Sequence, residues 1–556
     1  MGKQYPAPLL LNFPKEIVMS LTLPKIVNNL IDVKSIDHDR RYSKLAKLHK
    51  YWSRKPWFVI DQYVNKYSKK GHLVLDPFCG SGIIGLQSVL AGRKFIGYDL
   101  NPFAVFLAQN SLDIAHDSDS FDEEFAKIEK AVSEKIMKLY KTNDKYILYT
   151  ILGKKNGKDY NAVIADENFR NKEKVSLSKK DLEPTVRFPK GLKYPDKDFP
   201  EKFYKDRFSY KGVKKVSDMF TKRNILSLAL LYNTINDLPL KHRNLFMLAF
   251  TNTLLHVSKL KAENVRPLGV NNFWIPDDFI EENVWWRFTD RVNNVKTAKE
   301  VVSERAAKNK VKDQEAKVYN KSSLKMVEIE PESIDYLITD PPYGDTIQYS
   351  ELSYIWNCWL EKEFDIEKEV IINPVQKKGL DEYNSQLASF IGEVGRVLKK
   401  DAYFTLAFQN KDLRIWVSLA ELIKESGMEL VDISSYDTFG SPYNKNWAKF
   451  SPKSDFYVTF RNREKKAKRS NKKLVYPNEI AYEIAKYLGE HNGKLFNLNK
   501  GYDLFVGMVI IKIFDGYQVA NHEKLDIETI TDLFEKTVSK DGKVAAQPAL
   551  FNFEPA

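Results

Sequence analysis

Two stretches of this 556-residue chain predict an α/β fold with a parallel sheet, and a third predicts a large, mainly helical insertion. Residues 72–105 ("HLVLDPFCGSGIIGLQSVLAGRKFIGYDLNPFAV") read as strand, glycine-rich turn, helix and strand, the unit from which parallel sheets are built. Residues 333–338 ("SIDYLI") alternate in polarity as a strand does. Residues 110–317 have no place in such a sheet, and much of that stretch is helical in period. The last 80 or so residues predict a small mixed C-terminal domain.

The turn of the first stretch is rich in glycine. Gly80, Gly82 and Gly85 satisfy the pattern G-x-G-x-x-G, so a dinucleotide site is one alternative. Glycines let a ligand approach the backbone, and the N-terminus of the following helix favours a carboxylate or a phosphate. The turn therefore predicts a site for a ligand with an anionic group.

The residues around this turn narrow the kind of ligand. The second strand, residues 94–98, is followed by Asp99, whose carboxylate can accept both hydroxyls of a ribose. Asp76 and Pro77 precede the turn where a nicotinamide site has small apolar residues. Phe78 is placed to cover one side of a bound ligand.

The stretch "TDPPYGDTIQYSEL" follows the third predicted strand. That strand ends near Thr339, and the two prolines Pro341 and Pro342 stop its ladder and stiffen the chain that follows. Asp340 and Tyr343 then lie at the carboxyl end of a strand, where open α/β sheets bind ligands. A tight turn with a buried tyrosine is the structural alternative.

Composition limits the classes of function. The 43% hydrophobic content supports a sizeable core, no apolar run is long enough to span a membrane, and the N-terminus does not resemble a secretory signal, so we expect a cytoplasmic protein with no membrane partner. Two cysteines, Cys79 and Cys358, exclude a disulfide framework and a cysteine-rich zinc site. The eight histidines lack ligand spacing, so no metal site is predicted. The net charge of +13 favours a polyanionic partner.

"DPFCGSG", "GYDLNP" and "TDPPY", in this order, resemble the AdoMet-dependent amino-methyltransferases that act on exocyclic nitrogens of DNA bases. The resemblance implies a Rossmann-like methyltransferase sheet, S-adenosyl-L-methionine as cofactor, double-stranded DNA as partner and association with the nucleoid. It implies that the first motif binds AdoMet and that Asp99 holds its ribose. The catalytic residues implied are Asp340, Pro341, Pro342 and Tyr343; the cofactor residues of the first motif are Asp76, Pro77, Phe78, Gly80 and Gly82.

Three further segments extend the resemblance to about half of the chain. Residues 49–64 ("HKYWSRKPWFVIDQYV"), with Trp52 and Lys55, resemble the segment that closes over the methionine part of AdoMet. Asn320 and Ser322 follow a strand that resembles the one contacting the adenine. Residues 393–410 resemble the helix and strand that follow the catalytic motif. The resemblance divides the chain into an extension (1–40), the cofactor half (41–110), the insertion with a candidate DNA-recognition region (111–315), the catalytic half (316–460), and a basic linker with the C-terminal domain (461–556).

The insertion and the tail carry further predictions. Residues 121–140 read as one helix and residues 222–260 as two apolar helices. "GDTIQYSELSYIWNCWL" resembles adenine methylases with a zinc ribbon in the insertion, so a metal-free hairpin is predicted within residues 145–180. The tryptophan-rich residues 271–288 predict packing against the core in preference to base contact. The basic run at residues 461–473 is either a solvated linker or a phosphate contact.

The chemistry implied by the resemblance needs hydrogen-bond acceptors, because an exocyclic amine conjugated with an aromatic ring is a poor nucleophile. The Asp340 side chain and the carbonyl of Pro341 would supply them, and the ring of Tyr343 would stack on a flipped base, with its hydroxyl dispensable. Adenine-N6 methylation of DNA, in restriction–modification or phage defence with a cognate endonuclease or defence subunit as a further partner, is the leading prediction. The alternatives are a cytosine-N4 DNA methyltransferase, an RNA or tRNA guanine-N2 methyltransferase and a non-catalytic DNA-binding subunit.

Overall fold

The structure is a computed structural model of the chain. It describes residues 10–12, 45, 48–153, 159–178, 187–203, 213–263, 273, 275–311, 315–437, 454–463, 473–492, 498–521 and 529–530. The predicted extension at 1–40 lies outside these residues except for 10–12, and so does most of the basic run, at 464–472.

The described strands form a central sheet, a sheet in the insertion and a two-stranded C-terminal pair. Their bounds are β1 Leu10–Asn12, β2 Leu73–Asp76, β3 Lys94–Tyr98, β4 Lys141–Thr142, β5 Lys145–Gly153, β6 Asp159–Ala165, β7 Glu173–Ser178, β8 Asp278–Glu282, β9 Ala316–Tyr319, β10 Ile334–Thr339, β11 Leu398–Phe408, β12 Met428–Asp437, β13 Ser454–Asn462, β14 Lys473–Val475 and β15 Tyr517–Val519. The three core strands expected from the sequence, β2, β3 and β10, are confirmed.

The helices lie between and beside these strands. Their bounds are α1 Trp57–Tyr67, α2 Ile83–Leu90, α3 Pro102–Leu112, α4 Ser118–Met137, α5 Lys222–Asp237, α6 Arg243–Leu254, α7 Val284–Lys308, α8 Tyr349–Trp359, α9 Leu380–Val397, α10 Leu413–Glu425, α11 Pro477–Asn492 and α12 Leu498–Phe514. Local sequence explains several starts. Asn101 caps α3 by accepting from the Phe103 amide, with Pro102 at the first helical position, and Asn283 caps α7 in the same way.

The central sheet confirms the predicted Rossmann-like fold. Within the described residues its strands lie in the order β1-β12-β13-β11-β10-β2-β3-β9. The five strands from β11 to β9 pair in parallel, whereas β13 runs antiparallel between β11 and β12. The direction in which successive strands are added reverses between β2 and β10. Such a reversal opens a crevice at the carboxyl ends of the strands, where open α/β sheets bind ligands.

The insertion joins helices α4 to α7 to a sheet of its own. The predicted helices at 121–140 and 222–260 are confirmed as α4 and as α5 with α6. The predicted hairpin within 145–180 is the antiparallel meander β5-β6-β7, and β8 pairs with the other edge of β5. The sequence did not predict the strand β8, because its five residues, "DFIEE", are too short and too acidic to stand out.

The insertion shares a hydrophobic core with the cofactor half. Phe103 on α3 packs on Trp356 on α8 at 4.4 Å between ring centroids, and the same buried cluster includes Phe250 on α6 and Trp285 on α7. Trp285 is 4% exposed. The prediction that the tryptophan-rich segment packs against the core is therefore confirmed for this residue.

The C-terminal segment packs on the catalytic half. Helix α12 contacts α10, its Val506 and Ile510 are buried, and Phe514 stacks on Phe460 at 5.4 Å. These residues belong to the same buried cluster as Phe404 of the central sheet. Of the described helices, none is long and apolar enough to cross a membrane.

Candidate active site

Three acidic residues meet at the carboxyl edge of the sheet. Asp76 ends β2, Asp99 follows β3 and Asp340 follows β10, and all three line one cavity of about 820 Å³, its open mouth included. The predicted site residues in its wall are Trp52, Lys55, Asp76, Pro77, Phe78, Gly80, Asp99, Ser322, Asp340 and Pro342. The strand order thus brings together motifs that are more than 200 residues apart in the chain.

The glycine turn leaves no room for side chains. Gly80 and Gly82 have φ angles of +47° and +75°, in the left-handed region that favours glycine. A Cβ on Gly82 would lie 2.8 Å from the Cα of Ala108, and one on Gly80 would lie 2.9 Å from the Tyr51 ring. Gly82 is the N-cap of α2, so the free backbone amides at the N-terminus of that helix lie next to the glycine turn.

Asp99 holds the glycine turn and faces the cavity. Its Oδ2 accepts from the Gly80 amide and its Oδ1 from the Asn101 amide, each at 2.8 Å. Burial raises the pKa of Asp99 to about 6, against the effect of these two hydrogen bonds. Each carboxylate oxygen has a second lone pair, so the group can still accept from a diol.

Asp76 ties β2 to β10. It accepts from the Thr339 hydroxyl at 2.6 Å and from the Phe78 amide at 3.1 Å. It is 1% exposed, and burial raises its pKa to about 8. The Phe78 ring, which lines the cavity, packs edge-on against Phe390 at 5.0 Å.

The predicted adenine-contacting residues follow β9. Ser322 lines the cavity, as predicted for a cofactor contact. The Asn320 amide instead donates to the backbone carbonyls of Asp99 and Leu100, at 3.1 and 3.0 Å. Asn320 therefore joins the end of β9 to the loop that carries Asp99.

Lys55 bridges two carboxylates at the catalytic motif. Its Nζ lies 3.3 Å from Oδ2 of Asp340 and 3.3 Å from Oδ2 of Asp455. The Tyr343 hydroxyl donates to Oδ1 of Asp340 and accepts from Lys55 and, at 3.1 Å, from the Ser53 hydroxyl. The sequence predicted Lys55 as a cofactor contact and the hydroxyl as dispensable; the structure places both against the Asp340 carboxylate.

This group is nearly dry. The side chains of Lys55, Asp340 and Asp455 are 3%, 14% and 10% exposed. Burial raises the pKa of Asp340 to about 7, although Lys55 and the Tyr343 hydroxyl favour its charged form. Burial lowers the pKa of Lys55, but the two carboxylates outweigh it and hold that pKa above its ordinary value. Lys55 is therefore a fixed positive charge, and Asp340 is the group that titrates near neutral pH.

The prolines hold the turn after β10. The carbonyl of Pro342 accepts from the Tyr383 hydroxyl at 2.5 Å, and that of Tyr343 accepts from the Asn410 amide at 3.3 Å. In the described part of the chain the carbonyl of Pro341 has no such donor. Tyr343 is 5% exposed, because Lys55 lies 5.0 Å above its ring and Phe408 packs against it at 5.3 Å in an edge-on arrangement.

Aromatic rings form part of the cavity wall, beginning beside the glycine turn. Trp52 packs on Trp356 at 5.1 Å, and Tyr51 stacks on Tyr349 at 6.0 Å. Trp52, Tyr51 and Tyr349 line the cavity. Of these three residues, the sequence predicted only Trp52 as a site residue. Tyr349 lies in a segment that was quoted without a role for this side chain.

Sequence reasoning also missed Asp455 and Ser53. Ser53 lies within the quoted segment 49–64, and its φ of +56° marks a strained turn that no sequence pattern reveals. Asp455 begins β13 in "SPKSDFYVTF", about 115 residues after Asp340, and nothing around it signals chemistry. Only the antiparallel return of β13 beside β11 brings it to the site.

The residues of the cavity fit AdoMet. The Asp99 carboxylate suits the ribose hydroxyls, the glycine turn admits close backbone contact, and the Phe78 ring suits the adenine or the sulfonium. The buried Nε1–H of Trp52 has no acceptor among the described residues, and a carboxylate of the ligand could provide one. No cluster of three or more His, Cys, Asp or Glu side chains in the described residues could hold a metal ion.

Comparisons with known proteins agree with the cofactor half. Residues 20–110 match a family model described as DNA methylase. The chain is 36% identical over 78 residues to the DNA adenine methyltransferase YhdJ of Escherichia coli (strain K12), covering 14% of this chain and 26% of that protein. Over residues 20–110 the chain is therefore similar to DNA methylases, and the residues of its cavity fit AdoMet as cofactor.

The other matches are similarly partial. The chain is 30% identical over 69 residues to the type II methyltransferase M2.DpnII of Streptococcus pneumoniae, covering 12% of this chain and 26% of that protein. It spans only about a quarter of the length of these curated relatives.

Two solved structures are similar at low identity. A SAM-dependent methyltransferase of Methanosarcina mazei is 10% identical with a TM-score of 0.23, covering 72% of this chain and 97% of its own. The rRNA methyltransferase aviRa of Streptomyces viridochromogenes is 9% identical with a TM-score of 0.27, covering 78% and 95%.

Proposed function

We propose that this protein transfers the methyl group of AdoMet to the exocyclic N6 of adenine in DNA, in restriction–modification or phage defence. The observation that carries the proposal is the buried Asp340, held by Lys55 and the Tyr343 hydroxyl at the wall of the cavity that the AdoMet-type glycine turn lines. The family match supports the cofactor and the DNA substrate, and it ends at residue 110, before the catalytic motif.

The residues would act on the target amine as follows. Bound AdoMet supplies an electrophilic methyl group on its sulfonium. Asp340 accepts a hydrogen bond from the amine, and the carbonyl of Pro341 accepts a second, so the nitrogen lone pair turns toward the cavity. Bound AdoMet would give its methyl group to that nitrogen and leave as the thioether, and Asp340 would take up the proton that the nitrogen loses. Because the prolines already stiffen the turn, its acceptors lose little conformational entropy when the reacting groups come together.

The test is product identification. The protein is incubated with labelled AdoMet and separate pools of duplex DNA and RNA, and the products are digested to nucleosides. We expect labelled N6-methyladenine from DNA. N4-methylcytosine would favour a cytosine-N4 DNA methyltransferase, and N2-methylguanine from RNA would favour an RNA methyltransferase. No label in either pool would favour a non-catalytic DNA-binding subunit.

Substitutions of Tyr343 should separate the ring from the hydroxyl. We expect Tyr343→Ala to lower the rate of transfer by about 10²-fold or more, because it removes a stacking interaction worth about 1–3 kcal/mol and the partner of Asp340. Tyr343→Phe keeps the ring and should lose about tenfold, the cost of one hydrogen bond to a charged group. Steady-state rates on one DNA substrate measure both. Equal rates for Tyr343→Phe and wild type would make the hydroxyl dispensable after all.

A basic cluster next to the cavity provides a surface for the DNA backbone. Burial, together with the nearby positive charges of Arg287, Arg291, Lys261 and Lys50, lowers the pKa of His256 to about 2. These four side chains are therefore close enough to His256 to disfavour its charged form. Lys50 directly precedes the cavity residues Tyr51 and Trp52.

Two carboxylates hold three of these basic residues. Arg287 pairs with Glu282 at 2.7 Å and with Asp290 at 3.0 Å, Arg291 shares Asp290, and Lys261 shares Glu282. Arg287 also lies 4.9 Å above the Trp286 ring. Guanidinium groups beside an aromatic ring suit phosphates and bases.

Salt dependence tests this surface. Each neutralised phosphate contributes about 0.9 to the slope of log affinity against log salt, so Lys50→Gln and Arg291→Gln should each lower that slope by about one. Lys399→Gln is the control, since Lys399 begins β11 at the opposite edge of the sheet and pairs with Asp335. Fluorescence anisotropy with duplex DNA measures the slope. An unchanged slope in both cluster variants would rule the cluster out as a DNA contact.

A further inference from the structure

Asp455 reaches the D-P-P-Y turn from β13, which only β11 separates from β10 in the sheet. Because β13 runs antiparallel to β11, with Phe456 opposite Phe408, its first residues lie beside the carboxyl ends of the parallel strands. The Asp455 residue is 7% exposed, and its Oδ2 lies 3.3 Å from Nζ of Lys55. The same ammonium lies 3.3 Å from Oδ2 of Asp340. One lysine is thus shared between two buried carboxylates.

The titratable groups that face Asp340 come from several elements. They are Lys55 from the segment before α1, Asp455 and Tyr457 from β13, Asp76 from β2, Tyr349 from α8, and Tyr343 from its own turn. Lys55 is the cation among them. Whichever carboxylate the ammonium approaches more closely has fewer lone pairs left for another donor.

We propose that Asp455 is a positioning residue for methyl transfer, which holds the Lys55 ammonium at a second point and so leaves Asp340 free to accept a hydrogen bond from the target amine. The inference rests on the proposed function, and it adds a residue to which none of the three sequence motifs points. Without the carboxylate of Asp455, the ammonium would settle fully on Asp340 and compete with the amine for its oxygens.

The same arrangement predicts a change in the pH profile. Burial raises the pKa of Asp340 to about 7, and the negative charge of Asp455 acts in the same direction. The proposed reaction needs the ionised carboxylate, so activity of the wild type should rise with pH through about 7. Removing the Asp455 charge favours the ionised form of Asp340. The acid limb of the profile should then move to lower pH.

The experiment compares Asp455→Asn with wild type in kcat and kcat/KM from about pH 5.5 to 9 on a DNA substrate. We expect the apparent pKa of the acid limb to fall by about one unit, as removal of a nearby like charge does. We expect kcat at pH 8 to fall about tenfold, with the Kd for AdoMet unchanged within about twofold. Asp455→Glu, which keeps the charge, should keep the wild-type apparent pKa.

Asp432→Asn is the matched control. Asp432 lies on the neighbouring strand β12, is also 7% exposed, and pairs with a different lysine, Lys66, at 3.0 Å. Asp432→Asn should leave the apparent pKa of the acid limb unchanged. Thermal unfolding shows whether each variant folds. Should Asp455→Asn unfold, Asp455→Ser carries the same expectation.

A downward shift in the Asp455 variant alone supports the proposal. An unshifted profile in that variant, whatever its rate, or an equal shift in Asp432→Asn overturns it. A wild type that methylates no DNA base overturns the proposed function instead, so the two failures are distinct.

Discussion

Asp340→Asn should abolish methyl transfer while leaving AdoMet binding nearly unchanged. The side chain keeps its shape, but the amide has one acceptor oxygen in place of two, and the Tyr343 hydroxyl and the Lys55 ammonium compete for it. The amide also cannot take up the proton that the target amine loses. Loss of a positioned acceptor of this kind lowers a rate by about 10²–10⁴-fold. Transfer of labelled methyl groups to DNA measures the rate, and calorimetry measures the Kd for AdoMet.

Asp345→Asn is a control from the same turn. Asp345 is exposed and lies five residues further along the chain, so this variant should methylate at the wild-type rate. A wild-type rate in Asp340→Asn would make the D-P-P-Y turn purely structural. The proposed mechanism would then be wrong, even if the protein methylates DNA.

Asp99→Ala should weaken AdoMet binding by at least about tenfold. Hydrogen bonds to a charged group are worth about 1.5–3 kcal/mol each, and this carboxylate is proposed to accept two from the ribose. The substitution also removes the acceptor that holds the Gly80 amide at 2.8 Å, so the glycine turn should loosen as well. Calorimetry with AdoMet and, in parallel, with NAD measures the effect and tests the dinucleotide alternative.

Asp113→Ala is the control for this prediction. Asp113 ends α3, and its side chain is 57% exposed. Its replacement should leave the Kd for AdoMet unchanged. Equal AdoMet affinity in wild type and Asp99→Ala would contradict the predicted role of Asp99, and tight NAD binding would contradict the cofactor.

Much of the sheet was predictable because its signals are local. The signals of the short apolar strands β2 and β3 and of the alternating strand β10 come from neighbouring residues in the sequence. The same holds for the helical periods of α4, α5 and α6. The glycine turn was predictable for a similar reason. Gly80 and Gly82 have φ angles of +47° and +75°, which most other residues avoid. Asp99 and Asp340 were predicted for the same reason: each directly follows a strand.

The roles of Lys55, Ser53 and Asp455 depended on distance in the chain. The sequence placed Lys55 in a segment that approaches the cofactor, and this segment does line the cavity. It could not show that the ammonium lies between Asp340 and Asp455, because those carboxylates are about 115 residues apart in the chain and only the pairing of β13 and β10 with β11 brings them together. Ion pairs between remote segments leave no periodic or local pattern to read.

The sequence by itself therefore determined the class of fold, the likeness to AdoMet-dependent enzymes and the carboxylates at the ends of β2, β3 and β10. The tertiary structure decided which charges surround Asp340 and which groups form hydrogen bonds with the Tyr343 hydroxyl. The physical reason is that the formation of a strand is encoded by the local hydrophobic pattern, whereas the charge of a buried carboxylate depends on every group that folding brings within a few ångströms of it.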